Sequence, residues 1–221
     1  MPKETFYNLL DEKRTLIEEV ATKEFVEYGY DKASVNRIVK NCKIAKGSFY
    51  QYFEDKKDLF KHLLKRLAEK KLEYLSPSLL EPHKLDFFEL LREMYIGGLK
   101  FGVENHNAAV LANQILKNKN HPVYKEAVAD NLSQAYSFLS VMLQKSIKEG
   151  NVREDINLNF VSYIISALNV ATMEYYFDKV KNVEIEFEKI EDDIMQSVDL
   201  FIDFIKNGIG KQTGGKDDDK S

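Results

Sequence analysis

Apolar residues along this chain recur at intervals of three and four, which predicts helix after helix. Leu9, Leu10, Leu16, Ile17, Val20, Ala21, Phe25 and Tyr28 mark a first helix over residues 6–28, stopped by Gly29. Ser34 stands where a side-chain oxygen caps a second, short helix, with Val35, Ile38 and Val39 on one face. A turn at Asn41-Cys42-Lys43-Ile44 leads to a third short helix over residues 45–51. Asp55 is placed to cap a fourth helix with a wide apolar stripe, Leu59, Phe60, Leu63, Leu64, Leu67, Leu72 and Leu75. Ser76-Pro77 ends it.

Residues 76–84 (SPSLLEPHK) hold two prolines and a serine pair and predict a domain boundary. Further helices are expected at residues 85–104, 107–118, 121–149 and 157–180, with Glu149-Gly150-Asn151 as a stop. A last helix is expected over 186–206. Its Phe187, Ile190, Ile194, Val198, Phe201 and Ile205 step by three and four, a seam for another helix. Val183 to Phe187 alternates like a strand, but no other segment pairs with it, so it reads as the lead-in to that helix. The polar, glycine-rich residues 208–221 (GIGKQTGGKDDDKS) are expected to be a disordered tail.

Composition narrows the function. A 221-residue chain that is 44% hydrophobic can bury a sizeable core. Its net charge of −4 hides an asymmetry: residues 1–70 carry 15 Lys+Arg against 12 Asp+Glu, and residues 71–221 carry 17 against 24. Residues 32–53 contain Lys32, Arg37, Lys40, Lys43 and Lys46 with no acid, a surface suited to a polyanion, although a solvated face can carry as much. The single cysteine, Cys42, excludes an internal disulfide and a cysteine-rich zinc module, and reads as a buried small hydrophobe. His62, His83, His106 and His121 are far apart without helical pairing, so no metal site is expected. No catalytic order of residues, paired carboxylates or phosphate-cradling glycine loop stands out, so neither catalysis nor a cofactor is expected.

The opening MPKETFYNLLDEKR has no apolar run, so no secretory signal is expected, and a cytoplasmic location follows. Residues 160–177 are apolar at 13 of 18 positions, but Ser162, Ser166, Asn169 and Thr172 form a polar stripe and Glu174 adds a charge. That predicts a buried helix and no membrane partner.

Residues 29–60, GYDKASVNRIVKNCKIAKGSFYQYFEDKKDLF, carry the function. One short capped helix, a three- or four-residue turn and a second short helix, braced by long helices, spell a helix–turn–helix. The second short helix, AKGSFYQ, opens with small residues, which let its first turn approach a ligand closely. Lys46 and Ser48 are donors there and Tyr50 offers a hydroxyl; such a helix reads bases in a major groove with two to four side chains.

Over residues 14–64 this block resembles the DNA-binding domain of the tetracycline-repressor (TetR) family of bacterial transcription regulators. The anchors are FVEYGY (Phe25 to Tyr30), Ala33-Ser34-Val35, Ile38, the string Lys46-Gly47-Ser48-Phe49-Tyr50-Gln51-Tyr52-Phe53, Lys56 and Leu59. The resemblance implies that Ser34 caps the second helix and touches phosphate, that Lys46, Gly47 and Ser48 open the recognition helix, that Tyr50 and Tyr52 contact phosphate or base, and that Lys56 binds phosphate. Arg37 joins this set as a cation of the basic stretch. Phe49 and Phe53 are better read as core. The chain departs from the family where it has Lys43 in the turn, often Gly there, and Gln51, often His there. Lys43 is strained if the position needs positive φ, or adds a phosphate contact; Gln51 can pair with adenine.

The rest of the chain shows a family-like layout only. Gly97, Gly98 and Gly102 interrupt a helical pattern, either for close packing or to leave room for a ligand. The region is rich in aromatics and methionine, and the resemblance implies an effector site there. Tyr95, Phe101, Phe138, Met142, Asn169 and Met173 are the expected lining, for a small apolar or aromatic effector.

The expectation is thus an all-α protein: a helix–turn–helix domain over 1–54, a larger helical effector-binding and dimerisation domain over 55–207 (55–75 the connecting helix), and the tail. Its expected partners are double-stranded operator DNA, a small-molecule effector and a second copy, with the helices near 157–180 and 186–206 pairing as a four-helix bundle. The expected role is a repressor released by its effector. An activator, or a helical scaffold that has kept the fold but lost DNA binding, are the alternatives.

Overall fold

The structure is a computed structural model; it describes residues 2–74, 85–118, 120–180 and 187–210, with the side chains of 103, 127, 128, 130–135, 173, 174, 176–180 and 187–194 left out. The expected boundary at 76–84 and the strand-like lead-in over 183–186 lie outside the described residues. Within them the chain is all helical: α1 Glu4–Tyr7, α2 Asp11–Lys32, α3 Val35–Asn41, α4 Lys46–Tyr52, α5 Lys56–Leu72, α6 Phe87–Glu104, α7 His106–Lys117, α8 Pro122–Lys148, α9 Leu158–Val180 and α10 Phe187–Ile209. Among the described residues no helix is long and apolar enough to cross a membrane.

The helices sort into two compact units, residues 1–74 with 100–131, and residues 75–99 with 132–221. These are drawn differently from the expected 1–54 and 55–207. In the first unit α5, α7 and the start of α8 pack onto the helix–turn–helix. Gln114 Nε2 donates to the Val26 carbonyl at 2.7 Å, the Tyr30 N–H donates to the Tyr124 hydroxyl at 3.3 Å, and Lys57 and Lys61 meet Glu126 at 3.3 and 2.6 Å. The core of this unit joins Phe6, Ile17, Phe25, Ile38, Phe49, Phe53, Leu59, Phe60 and Leu63 to Leu111 and Tyr124. Five of these are fully buried phenylalanines, each stabilising by about 2–3 kcal/mol.

The predicted first helix is two. Leu10 takes the N-cap position of α2, so Leu9 and Leu10 lie between α1 and α2. Gly29 does interrupt α2: its φ of 69° and ψ of 169° are open to glycine, and one more turn follows to Lys32. Gly150, with φ of 79°, likewise follows the end of α8. Asp55 caps α5 as expected, accepting the Asp58 N–H at 2.8 Å. The stripe below it is buried from Leu59 to Leu64, whereas Leu72 is exposed and Leu75 is outside the described residues.

In the second unit Phe87, Leu90, Leu91 and Tyr95 of α6, Met142 and Leu143 of α8, Ile165 of α9, and Val198, Phe201, Ile202 and Ile205 of α10 form one core. The polar stripe of α9 is only partly inward: Ser162 is fully buried and accepts from the Ser140 hydroxyl at 3.0 Å, whereas Ser166 and Thr172 are half-buried and Asn169 is exposed. The outward side of α9 is apolar, with Phe160, Tyr163 and Ile164 exposed, and α10 adds exposed Leu200 and Phe204. The seam residues Val198, Phe201 and Ile205 therefore pack inside the chain's own core, and different residues face out. One part of the expected tail is ordered: α10 continues through Gly208 and Ile209, Gly210 bridges Val152, and Arg153 N–H donates to the Ile209 carbonyl at 3.0 Å. Residues 211–221 lie outside the described residues.

Candidate nucleic-acid interface

The turn between α3 and α4 is built from the backbone. The Ile44 N–H donates to the Val39 carbonyl at 3.0 Å and the Lys43 N–H to the Lys40 carbonyl at 3.2 Å, the Schellman closure of a helix. That closure needs a left-handed residue, and Lys43 supplies it with φ of 53°. The strained alternative for Lys43 is therefore what the structure shows, and the side chain is exposed at the turn. Cys42 beside it is buried, and burial pushes its thiol up to about 11. It fills space as a small hydrophobe.

Seven-residue α4 has two faces. Phe49 and Tyr52, three apart, are buried in the core; Lys46 and Tyr50, and Gly47 and Gln51, each four apart, form the exposed side, with Ser48 at the margin. Its N-cap is Ala45, which offers no capping oxygen, and a Cβ on Gly47 would meet nothing within 4 Å. The first turn of α4 is therefore open to close approach, with Lys46 alongside. Tyr52 departs from the expectation of a contact residue. Its ring lies 6.1 Å from that of Phe6, because position 52 shares the inward face with Phe49.

Three other expected contact residues make bonds within the chain, Ser34 through its backbone N–H and Arg37 and Lys56 through their side chains. Ser34 holds the N-cap position of α3 with extended backbone, but its side chain makes no capping hydrogen bond. Instead its N–H donates to Glu24 Oε1 at 2.7 Å. The same oxygen accepts from Arg37 Nε at 2.8 Å, and Arg37 Nη2 donates to the Lys32 carbonyl at 2.7 Å while the guanidinium covers the Tyr28 ring at 4.0 Å. Buried Glu24 is thus a hub that fixes α3 against α2, and it raises the pKa of Arg37 further through that hydrogen bond. Sequence reasoning passed over Glu24; its one signal was a carboxylate directly beside core residue Phe25. Lys56 is also committed: Nζ donates to the carbonyls of Tyr30, Ala33 and Asp31 at 2.7, 3.1 and 3.2 Å and sits 4.5 Å from the Tyr30 ring centre. All three N–H groups of this ammonium close the end of α2, so the structure gives Lys56 a fastening role where phosphate binding was expected.

The exposed set near α4 is therefore Lys43, Lys46, Gly47, Tyr50 and Gln51, on a stretch without acids. The expected effector lining is divided. Tyr95 and Met142 are buried in the second unit, Tyr95 donates from its hydroxyl to Asn169 Oδ1, and Phe138 of the same unit is exposed. Phe101 belongs to the first unit, with its ring 5.3 Å from Tyr74. The side chain of Met173 lies outside the described residues. Gly102 lies within unbroken α6; a Cβ there would touch the Ala109 Cβ at 3.9 Å, ordinary helix packing.

A short helix with an open, basic first turn, held by a left-handed turn and flanking long helices, defines a helix–turn–helix protein. Residues 17–63 match the family model for bacterial regulatory proteins of the tetR family. Over 61 residues the chain is 44% identical to the uncharacterized HTH-type transcriptional regulator YuxN of Bacillus subtilis (strain 168), a match covering 28% of this chain and 21% of that relative. Over 146 residues it is 25% identical to YhgD, another uncharacterized HTH-type regulator of that organism, covering 64% of this chain and 73% of the relative. Two solved structures share the fold. A TetR family transcriptional regulator from Chloroflexus aurantiacus J-10-FL superposes with a TM-score of 0.65 at 23% identity, over 96% of this chain and 100% of its own. FadR from Bacillus subtilis, in complex with stearoyl-CoA, superposes with a TM-score of 0.69 at 19% identity, over 88% and 98%. Residues 17–63 thus match the helix–turn–helix domain of the tetR family, and the rest of the chain shares the fold of these structures.

Proposed function

We propose that this protein is a transcriptional regulator that binds operator DNA as a homodimer through α4 and leaves it when a small molecule binds the second unit. The carrying observation is the two-faced recognition helix. Phe49 and Tyr52 anchor it in the core, and Lys46, Gly47, Tyr50 and Gln51 stand exposed. In this reading Lys43 and Lys46 meet phosphates, the open first turn of α4 lets the backbone approach closely, Tyr50 contacts backbone or base, and Gln51 reads a base edge.

Dimerisation is supported by the outward faces of α9 and α10. Phe160, Ile164, Leu168, Leu200 and Phe204 line an apolar groove of about 680 Å³. Phe160, Leu200 and Phe204 are each more than 60% exposed, an arrangement that water disfavours and a second copy relieves. Two copies would present two α4 helices to half-sites about 34–36 Å apart, or a multiple of that.

The effector belongs in the second unit, where Tyr95 and Asn169 are polar groups close to Met142 and Phe201. FadR, of the same fold, is bound to stearoyl-CoA, which supports a ligand with a substantial apolar part. Binding would act by favouring a dimer whose α4 separation no longer fits the operator, a coupling of typically about 1–3 kcal/mol.

Selection of bound duplexes from a randomised pool, followed by footprinting, tests the reading. A two-fold symmetric site with half-sites on one face of the duplex supports it; a pool that never enriches would favour a scaffold without DNA binding.

A further inference from the structure

The last four carbonyls of a helix have no partner inside it. In α4 these belong to Phe49, Tyr50, Gln51 and Tyr52. The Phe49 carbonyl takes the Phe53 N–H at 2.9 Å. The other three are met by the segment that precedes α2. Lys3 Nζ donates to the Tyr50 carbonyl at 2.8 Å, the Thr5 hydroxyl donates to the Gln51 carbonyl, and the Lys3 N–H donates to the Tyr52 carbonyl at 2.8 Å. Phe6 then pins the segment: it is fully buried, with its ring 4.8 Å from Phe53 and 5.2 Å from His62.

We propose that Lys3 and Thr5 are positioning residues for DNA recognition, setting the roll and depth of α4 by gripping the carbonyls of the residues that face the duplex. The proposal rests on α4 being the recognition helix. A seven-residue helix is marginal by itself, so its geometry is imposed by what holds it. Phe49 and Tyr52 fix its inward side, yet two side chains on one face leave the helix free to roll about them. Bonds to the carbonyls of residues 50 and 51 remove that freedom at the positions whose side chains, Tyr50 and Gln51, stand exposed. The Lys3 ammonium also lies at the negative end of the α4 dipole, which it offsets. Neither Lys3 nor Thr5 needs to touch DNA for this role, and the Lys3 ammonium is already directed at a carbonyl.

The test compares the full chain with Lys3→Met, Thr5→Val and Thr5→Ser. The probes are the duplex enriched by the wild type and a scrambled duplex of the same length and composition. Lys3→Met and Thr5→Val together should lower the preference for the enriched duplex about tenfold, since two hydrogen bonds of modest net value are lost. Affinity for the scrambled duplex and the slope of affinity against salt should stay at the wild-type values. Thr5→Ser keeps the hydroxyl and should retain the wild-type preference. Should Lys3→Met disturb folding, Thr5→Val against Thr5→Ser carries the test alone, with about a threefold loss of preference expected in the former only. Equal weakening of both duplexes with a slope lowered by about one would make Lys3 a phosphate contact and overturn the proposal. An unchanged preference in Thr5→Val overturns it as well. A wild type that binds no duplex sinks the reading of α4 itself, and is thereby distinguished from failure of the positioning role alone.

Discussion

Lys56→Met separates two jobs that one lysine can do. Methionine keeps the unbranched stem and removes the ammonium, so the carbonyls of Tyr30, Asp31 and Ala33 lose a shared donor at 2.7, 3.2 and 3.1 Å. Water can reach the more exposed of them, which limits the loss to about 2 kcal/mol for the three together. Losing the cation above the Tyr30 ring adds about 0.5–1 kcal/mol. The expected destabilisation is therefore about 2–3 kcal/mol. With a urea m-value of about 1–3 kcal/mol/M, the unfolding midpoint read by far-UV circular dichroism should fall by about 1 M. Because the ammonium is spent inside the protein, the salt slope of DNA binding should change by much less than one. A midpoint within about 0.2 M of the wild type, with a slope lowered by about one, would refute this reasoning and restore Lys56 to the phosphates.

Glu24→Ala should destabilise by about 2–3 kcal/mol in the same urea experiment, because the Ser34 N–H and Arg37 lose their shared buried acceptor. Cys42 should resist iodoacetamide at pH 8 in the native protein and react quickly in urea; its raised pKa means the stability it contributes is complete below its ordinary value of 9.0 and is lost as pH climbs through about 11. Lys43→Gly relieves left-handed strain but frees the unfolded chain, so stability should shift by less than about 1 kcal/mol, while the salt slope of DNA binding should fall by about one. Phe204→Asp with Leu200→Asp should convert a dimer to a monomer in analytical ultracentrifugation; a wild type that is monomeric at every concentration would contradict the dimer.

The frame of the helix–turn–helix was legible because its signals are local. Periodicity marks α3 and α5, Asp55 is a cap three residues before the Asp58 N–H that donates to it, and Gly29 and Lys43 sit where the backbone must turn left. The inward place of Tyr52 was also local: it lies three residues after Phe49, so one helical face takes both. The rest depends on contacts distant in sequence. The acceptor for the Ser34 N–H comes from Glu24, the donor for the Tyr30 carbonyl from Lys56, and the partners of the last α4 carbonyls from Lys3 and Thr5. No spacing rule announces these, since a lysine that closes a helix and a lysine that meets phosphate look alike in a string of letters. The polar stripe of α9 was visible, but which of its residues is buried follows from packing: Ser162 lies inside against Ser140, while exposed Asn169 accepts from Tyr95.

Everything proposed for function turns on contact between the exposed face of α4 and duplex DNA. Fluorescence anisotropy of the full chain with the enriched duplex, titrated with salt, measures it directly, comparing wild type with Lys46→Ala and Gln51→Ala. Tight, salt-sensitive binding is expected, with a slope lowered by about one in Lys46→Ala and a loss of base preference at one position per half-site in Gln51→Ala with its slope intact. Wild-type binding that neither substitution alters would contradict it.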